Sequence, residues 1–181
     1  MEKSSCKVFI ATSMDGYIAD KNGNIDWLHA TPNPDNDDMG YGYFMATIDA
    51  IIMGRNTYET VLGFDIDWPY TKPVYVLSTT LTQTPEHLHN KVEMVNTDLK
   101  SLIHHLATKG QYQLYIDGGL TIQNFLKEDL LDEITITTIP ILLGGGIPLF
   151  STLDNPLNFK CVKSRIMLNR LVQCHYVREH Q

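Results

Sequence analysis

The sequence predicts an α/β fold: a mostly parallel central sheet flanked by helices, ending in a C-terminal antiparallel hairpin. Three observations predict it. Short apolar, β-branched runs alternate with helical stretches, as strands joined by crossover helices do. Two of those runs end in glycine just before a helix, at Met53-Gly54-Arg55 and Asp117-Gly118-Gly119. The tail from Lys163 to Arg178 instead alternates about a polar turn, the pattern of antiparallel strands.

The elements follow in order. Val8-Phe9-Ile10-Ala11 is an apolar run suited to a buried strand. Ser13 to Pro34 is polar and punctuated by glycine, which predicts a long loop, and loops of that kind are often functional. Asp35 to Thr47 predicts a helix capped by one of its Asp or Asn residues. Ala50–Met53 is the next strand, Asn56–Leu62 a short helix, Val74–Leu77 and Val92–Val95 two further strands, and Leu99–Lys109 a helix. Gln113–Ile116 is a strand that runs through Gly118-Gly119 into a helix over Thr121–Lys127, and Glu133–Leu142 is a long β-branched strand. The hairpin comprises Lys163–Leu168, a turn at Asn169-Arg170, and Leu171–Arg178. No repeat or linker interrupts the chain, so residues 1–181 are expected to form one domain.

Composition narrows the function. The chain has 181 residues, 43% hydrophobic and 19% charged, enough to build a core without a staple. A net charge of −7 argues against general nucleic-acid binding, which depends on basic side chains neutralising phosphates. Cys6, Cys161 and Cys174 are far apart, so neither a disulfide framework nor a zinc site is expected, and Cys161 and Cys174 read as buried small hydrophobes. His87, His89, His104 and His105 lack the partners of a metal site, so no metal is expected. Without a signal-like segment or a membrane-length apolar run, a reducing cytoplasm is the expected compartment.

Three stretches can carry chemistry. Met53-Gly54-Arg55-Asn56-Thr57 joins a strand to a helix, and a helix N-terminus presents free N–H groups that suit phosphate. On spacing alone, a glycine turn with a solvated arginine explains it equally well. Ile116-Asp117-Gly118-Gly119-Leu120-Thr121 repeats the arrangement without being a GxGxxG fingerprint. Leu143-Gly144-Gly145-Gly146 permits a close approach to substrate, or simply reverses the chain. In the first loop, Trp27 either closes over a ligand or anchors the loop to the core.

Taken together, these stretches resemble dihydrofolate reductases, and more closely the C-terminal reductase domain of the bacterial deaminase-reductases of riboflavin biosynthesis (RibD). Ile52-Met53-Gly54-Arg55-Asn56-Thr57-Tyr58-Glu59 resembles the family's cofactor motif, and Ser13-Met14-Asp15-Gly16-Tyr17-Ile18-Ala19 the start of the reductase domain. Leu131-Asp132-Glu133, Pro140–Gly146 and Pro148-Leu149-Phe150 resemble the riboflavin-type ending. No HxE with a following PCxxC occurs, so no deaminase portion is implied.

The resemblance implies a dihydrofolate reductase-like fold with NADPH across the C-terminal strand edges. Ala11 and Ile18 would flank the nicotinamide. Gly54, Arg55, Asn56 and Thr57 would hold phosphates and ribose, Leu77, Ser78 and Thr79 would border the 2′-phosphate, and Gly118, Gly119, Leu120, Thr121 and Ile122 would cradle the pyrophosphate. Arg55 beside hydroxyls favours NADPH over NADH, because the extra phosphate needs charge-assisted donors. On the substrate side, Asp38 falls nearest the place of the family's helix carboxylate, with Thr137 as its strand partner, although its neighbours make Asp38 equally a helix-capping acid. Asp26, Trp27 and Gly145 would approach the substrate.

The implied function is NADPH-dependent reduction of a small heterocycle, as in 5-amino-6-(5-phosphoribosylamino)uracil reductase, by a homodimer. A dihydrofolate (pterin) reductase, a non-catalytic nucleotide-binding module and a structural oligomer subunit are the alternatives.

Overall fold

Ala50, Ile51, Ile52 and Met53 are all fully buried, which a strand achieves only when both faces of its sheet are covered. The computed structural model describes residues 3–180, so Met1, Glu2 and Gln181, the ends of the expected domain, lie outside the described residues. The chain runs β1 (Ser5–Ser13), β2 (Tyr17–Ala19), α1 (Tyr41–Ala46), β3 (Ala50–Gly54), α2 (Arg55–Leu62), β4 (Val74–Leu77), β5 (Val92–Val95) and α3 (Leu99–Thr108). It continues through β6 (Gln113–Asp117), α4 (Gly119–Lys127), β7 (Glu133–Ile139), β8 (Ile147–Pro148), β9 (Phe159–Met167) and β10 (Leu171–Arg178).

An eight-stranded sheet has the order β5-β4-β3-β6-β1-β7-β10-β9. Strands β1 and β3 to β7 pair in parallel, and β10 runs antiparallel to β7 and β9. The fold class read from the sequence is therefore the one observed. Helices α3 and α4 bury Leu102, Leu106, Ile122 and Phe125 against Val8, Ile52 and Ile116 on one face. On the other, Tyr58 of α2 and Phe44 of α1 pack against Ile51, Met53 and Val76. Among the described residues no helix is long and apolar enough to cross a membrane.

Several expectations need correction. The helix expected over Asp35–Thr47 shrinks to Tyr41–Ala46. Before it, Asn36, Met39 and Gly40 take positive φ, while Asn33, Asp37 and Asp38 accept nearby backbone N–H groups, so side chains replace the helical ladder. The strand expected to reach Leu142 stops at Ile139, before Pro140, which has no N–H to donate. The long first loop contains β2, which pairs with β8 of the glycine run in a separate two-stranded sheet. The final turn falls one residue early, with Leu168 and Asn169 at positive φ and the Arg170 N–H donating to the Met167 carbonyl.

Cysteine placement is mixed. Cys6 is buried, Cys174 half-buried and Cys161 exposed, so Cys161 is not the buried hydrophobe expected. It lies on β9, the outermost strand, where exposed Val162 and Ile166 show that little covers the sheet.

Candidate active site

Met53 of β3 stands opposite Asp117 of β6 in a parallel register, so the glycines that follow, Gly54 and Gly118, leave the sheet side by side. Each begins a helix. Neither α2 nor α4 has a side-chain cap, which leaves first-turn N–H groups for a ligand. Gly118 has φ +91°, and a Cβ there would overlap the Thr57 hydroxyl, so the two junctions approach too closely for a side chain.

Between and above them lies a cleft of about 760 Å³ at the C-terminal ends of the parallel strands. Ala11, Ile18, Gly54, Arg55, Asn56, Thr57, Leu77, Ser78, Thr79, Gly118, Gly119, Leu120 and Thr121 all line it. Ligands of open α/β sheets bind in this position, at the carboxyl ends of strands. Ile122 does not belong with them. Its side chain is fully buried in the core and its N–H already donates to the Gly118 carbonyl at 2.9 Å.

Arg55 sits on the rim toward β4. Its Nε donates to Glu59 at 2.8 Å and its Nη1 to Thr80 Oγ1 at 3.0 Å. The Ser78 hydroxyl accepts from the backbone N–H groups of Thr80 and Leu81, so that turn is built as a unit beside the guanidinium.

The expected substrate residues are placed differently. Asp38 lies outside the cleft and its two carboxylate oxygens accept from Gly40 N and Gly42 N at the start of α1. Those backbone donors, Gly42 first and then Gly40, hold its carboxyl below the usual range, with Arg165 adding a smaller effect. It caps the helix start. Thr137 is buried, with Oγ1 accepting from Gln173 Nε2 at 2.9 Å, and Gln173 also donates to the Met39 carbonyl. Asp38 and Thr137 thus make separate local contacts rather than a pair. Asp26 is exposed and Trp27 half-buried, in a 3-10 turn whose neighbours Ile25 and Leu28 reach the cleft. The Trp27 indole N–H is shielded without a partner. Gly145 faces Lys21 outside the cleft lining.

Two further residues line the cleft to which the sequence assigned no role of their own, Asp117 and Tyr70. Asp117 closes β6 and lines the cleft, and Tyr70 Oη donates to its Oδ2 at 3.3 Å. Desolvation raises the Asp117 carboxyl above the usual range, opposed by the Gly118 N–H and the Tyr115 and Tyr70 hydroxyls. Burial, and then the Asp117 charge, push Tyr41 up to about 12, and raise Tyr70 and Tyr115 as well. The one available signal was an acid ending an apolar strand just before the diglycine. Nothing local marks Tyr70, which arrives on an aromatic run in which Trp68 meets Tyr58 and Tyr70 edge to face.

A family model for the RibD C-terminal domain matches residues 6–172. The chain belongs to the RibD C-terminal domain family. The match takes in nearly the whole of some relatives but 58% of the Acinetobacter baumannii RibD chain, which is 19% identical with a TM-score of 0.73 over 98% of this chain. A structure from Shewanella sp. PV-4, provisionally assigned to riboflavin biosynthesis, is 55% identical with a TM-score of 0.95, over 97% of this chain and 99% of that one. The uncharacterized YwjB protein of Bacillus subtilis (strain 168) is 37% identical over 174 residues, 94% of this chain and 96% of that protein. Dihydrofolate reductase from Enterococcus faecalis, solved with NADP(H), is 14% identical with a TM-score of 0.67 over 97% of both chains. That likeness establishes a dihydrofolate reductase-like fold for this RibD C-terminal domain chain.

Proposed function

We propose that the chain, as one cytoplasmic domain working in a homodimer, is an NADPH-dependent reductase of a small heterocyclic substrate. One observation carries the reading: two uncapped strand–glycine–helix junctions on neighbouring parallel strands open into a single cleft. The cradle fits a dinucleotide. Both helix starts offer N–H groups for phosphate. Gly54 and Gly118 have no space for a Cβ, so backbone alone approaches there. Arg55, with Ser78, Thr79 and Thr80, supplies charge and hydroxyls at the rim for a 2′-phosphate.

When bound, the nicotinamide supplies a hydride, chemistry that side chains lack. The protein's part is alignment. Ala11 and Ile18 give the cleft lining apolar side chains that would flank the nicotinamide, and Gly118 and Gly119 would bring backbone to the cofactor. Membership in the RibD C-terminal domain family supports reduction of a pyrimidine carrying a ribosyl-phosphate group. Pterin reduction is disfavoured because the Asp38 carboxylate and Thr137 hydroxyl have other partners.

Titration of NADPH and NADH, followed by fluorescence and thermal shift, tests this. A ligand at one hundred times its Kd stabilises the native state by about 2.7 kcal/mol, an easily read shift. NADPH is expected to bind and to be oxidised in the presence of 5-amino-6-(5-phosphoribosylamino)uracil. Absence of binding by either cofactor overturns the reductase reading, whereas binding without turnover of pyrimidine or pterin acceptors favours a nucleotide-binding module. Light scattering on the purified protein checks the dimer.

A further inference from the structure

A second cavity, of about 460 Å³, opens between α1 and the C-terminal hairpin. It lies beside Lys7, Val8 and Phe9 in the first half of β1, whereas the cofactor cleft begins at Ile10 and Ala11, and no residue lines both. Its volume falls within the roughly 300–1,000 Å³ usual for sites of small ligands.

Lys7, Lys163 and Arg165 line this cavity with Glu133 as the one carboxylate. Lys7 Nζ stands 3.2 Å from one Glu133 oxygen and His175 Nε2 3.0 Å from the other, so these groups satisfy one another. Among the described residues, neither Lys163 nor Arg165 pairs with a carboxylate. The half-buried Arg165 donates from Nε and Nη2 to Gln173 Oε1 at 2.9 and 2.7 Å, and from Nη2 to the Met39 carbonyl at 2.9 Å. Both acceptors are neutral, and Nη1 has no partner among the described residues. The Asp38 carboxyl feels this charge but accepts from the Gly40 and Gly42 N–H groups. A Cβ on Gly40 would stand 2.8 Å from Arg165 Nη2, so the glycine leaves room for the guanidinium. A cation withdrawn from water normally has an anion beside it. This one is held in place by neutral groups, with a nitrogen left over.

Lys163 stands two residues before Arg165 on the same face of β9, roughly 7 Å along the strand. The opposite wall is aromatic. Phe9 and Phe44 rings lie 5.1 Å apart, and Tyr43, which is 83% exposed, leaves its ring open to a ligand. Cations on one side and aromatic faces on the other suit a planar ring that carries negative charge.

We propose that this cavity binds a small aromatic anion, its phosphate or carboxylate on Arg165 and Lys163 and its ring against Tyr43 and Phe44. The site is separate from the cofactor cleft, and the proposal does not depend on the reductase reading.

Calorimetric titration of the full chain tests it with four probes. Uridine 5′-monophosphate and orotate join a ring to a phosphate or a carboxylate, uridine has the ring alone, and ribose 5-phosphate has the phosphate alone. At least one of the first two should bind, and the tighter of them tells phosphate from carboxylate. Uridine and ribose 5-phosphate should bind at least about tenfold more weakly, the loss of one charge-assisted hydrogen bond or one stacked ring. Arg165→Ala should weaken the preferred probe by at least about tenfold. Tyr43 and Lys163 are exposed, so Tyr43→Ala and Lys163→Ala leave the fold intact and keep the test valid if Arg165→Ala misfolds. Tyr43→Ala should cost at least about fivefold in affinity, with a loss in Lys163→Ala as well. Absence of binding by both ring-bearing anions overturns the proposal. So does a ribose 5-phosphate affinity equal to that of uridine 5′-monophosphate. Affinity that survives in Tyr43→Ala and Lys163→Ala but falls in Arg55→Ala places the probe in the cofactor cleft and likewise overturns it. Failure of the wild type to bind NADPH would remove the reductase reading and leave this result standing.

Discussion

Gly54 faces Thr121 so closely that a Cβ on Gly54 would stand 2.8 Å from the Thr121 hydroxyl oxygen. The last residue of β3 thus touches the first turn of α4, and both line the proposed cofactor cleft. Gly54→Ala should push these walls apart or displace Thr121. The expected result is an NADPH affinity at least about tenfold lower, equivalent to about 1.4 kcal/mol, with circular dichroism unchanged. Fluorescence titration checks it, and wild-type affinity in the variant would show that the close approach plays no part in binding.

Arg55 gives a second prediction, because its guanidinium lies between Glu59 and Thr80 on the β4 side. A hydrogen bond to a charged group contributes about 1.5–3 kcal/mol, so Arg55→Ala should weaken NADPH by roughly 10- to 150-fold. NADH, which lacks the 2′-phosphate, should bind the variant about as it binds the wild type. If both cofactors lose affinity equally, Arg55 serves a phosphate common to the two.

What the sequence made legible follows from range. Ala50–Met53 and Leu114–Ile116 are buried on both faces, so they appear as continuous apolar runs, the first meeting Gly54 directly and the second meeting Gly118 after Asp117. The cleft lining beside them was readable because each junction is local. The segment from Asn33 to Gly40 was not, because its acidic residues serve capping and turns equally well, and positive φ at Asn36 and Met39 leaves no periodic mark. Asp117 was hidden for a different reason. Its surroundings come from Tyr41 and Tyr70, residues brought to it by other parts of the chain.

Phe125 tests the opposite face of the sheet. It is fully buried in the core that α3 and α4 build against β1, β3 and β6. Phe125→Ala should cost about 3–5 kcal/mol, the usual range for deleting a buried aromatic side chain. Urea denaturation measures it as a lower midpoint with little change in slope. A loss below about 1 kcal/mol would mean that this core collapses around the gap.

Asp15 joins the first loop to the glycine run. Its carboxylate accepts from Ser13 Oγ at 2.6 Å, from Leu143 N at 3.1 Å and from Gly144 N at 2.8 Å. The Ser13 hydroxyl contributes most to holding its carboxyl below the usual range; partial desolvation opposes this, and the Gly144 and Leu143 N–H groups add to it. A folded-state value below the unfolded one means that the clasp contributes in full above about pH 3.9, the unfolded value, and is lost as pH falls through the lower folded value. Asp15→Asn replaces one acceptor oxygen with a donor, which leaves a backbone N–H without its partner at every pH. Amide exchange at Leu143 and Gly144 should therefore be faster in the variant at pH 7, and the gap from wild type should close in acid. The effect should reach the β2–β8 pair, since a Cβ on Gly146 would overlap the Ala19 carbonyl and the two segments meet there backbone to backbone. Equal protection in wild type and Asp15→Asn at pH 7 would show that this backbone contact alone holds the glycine run in place.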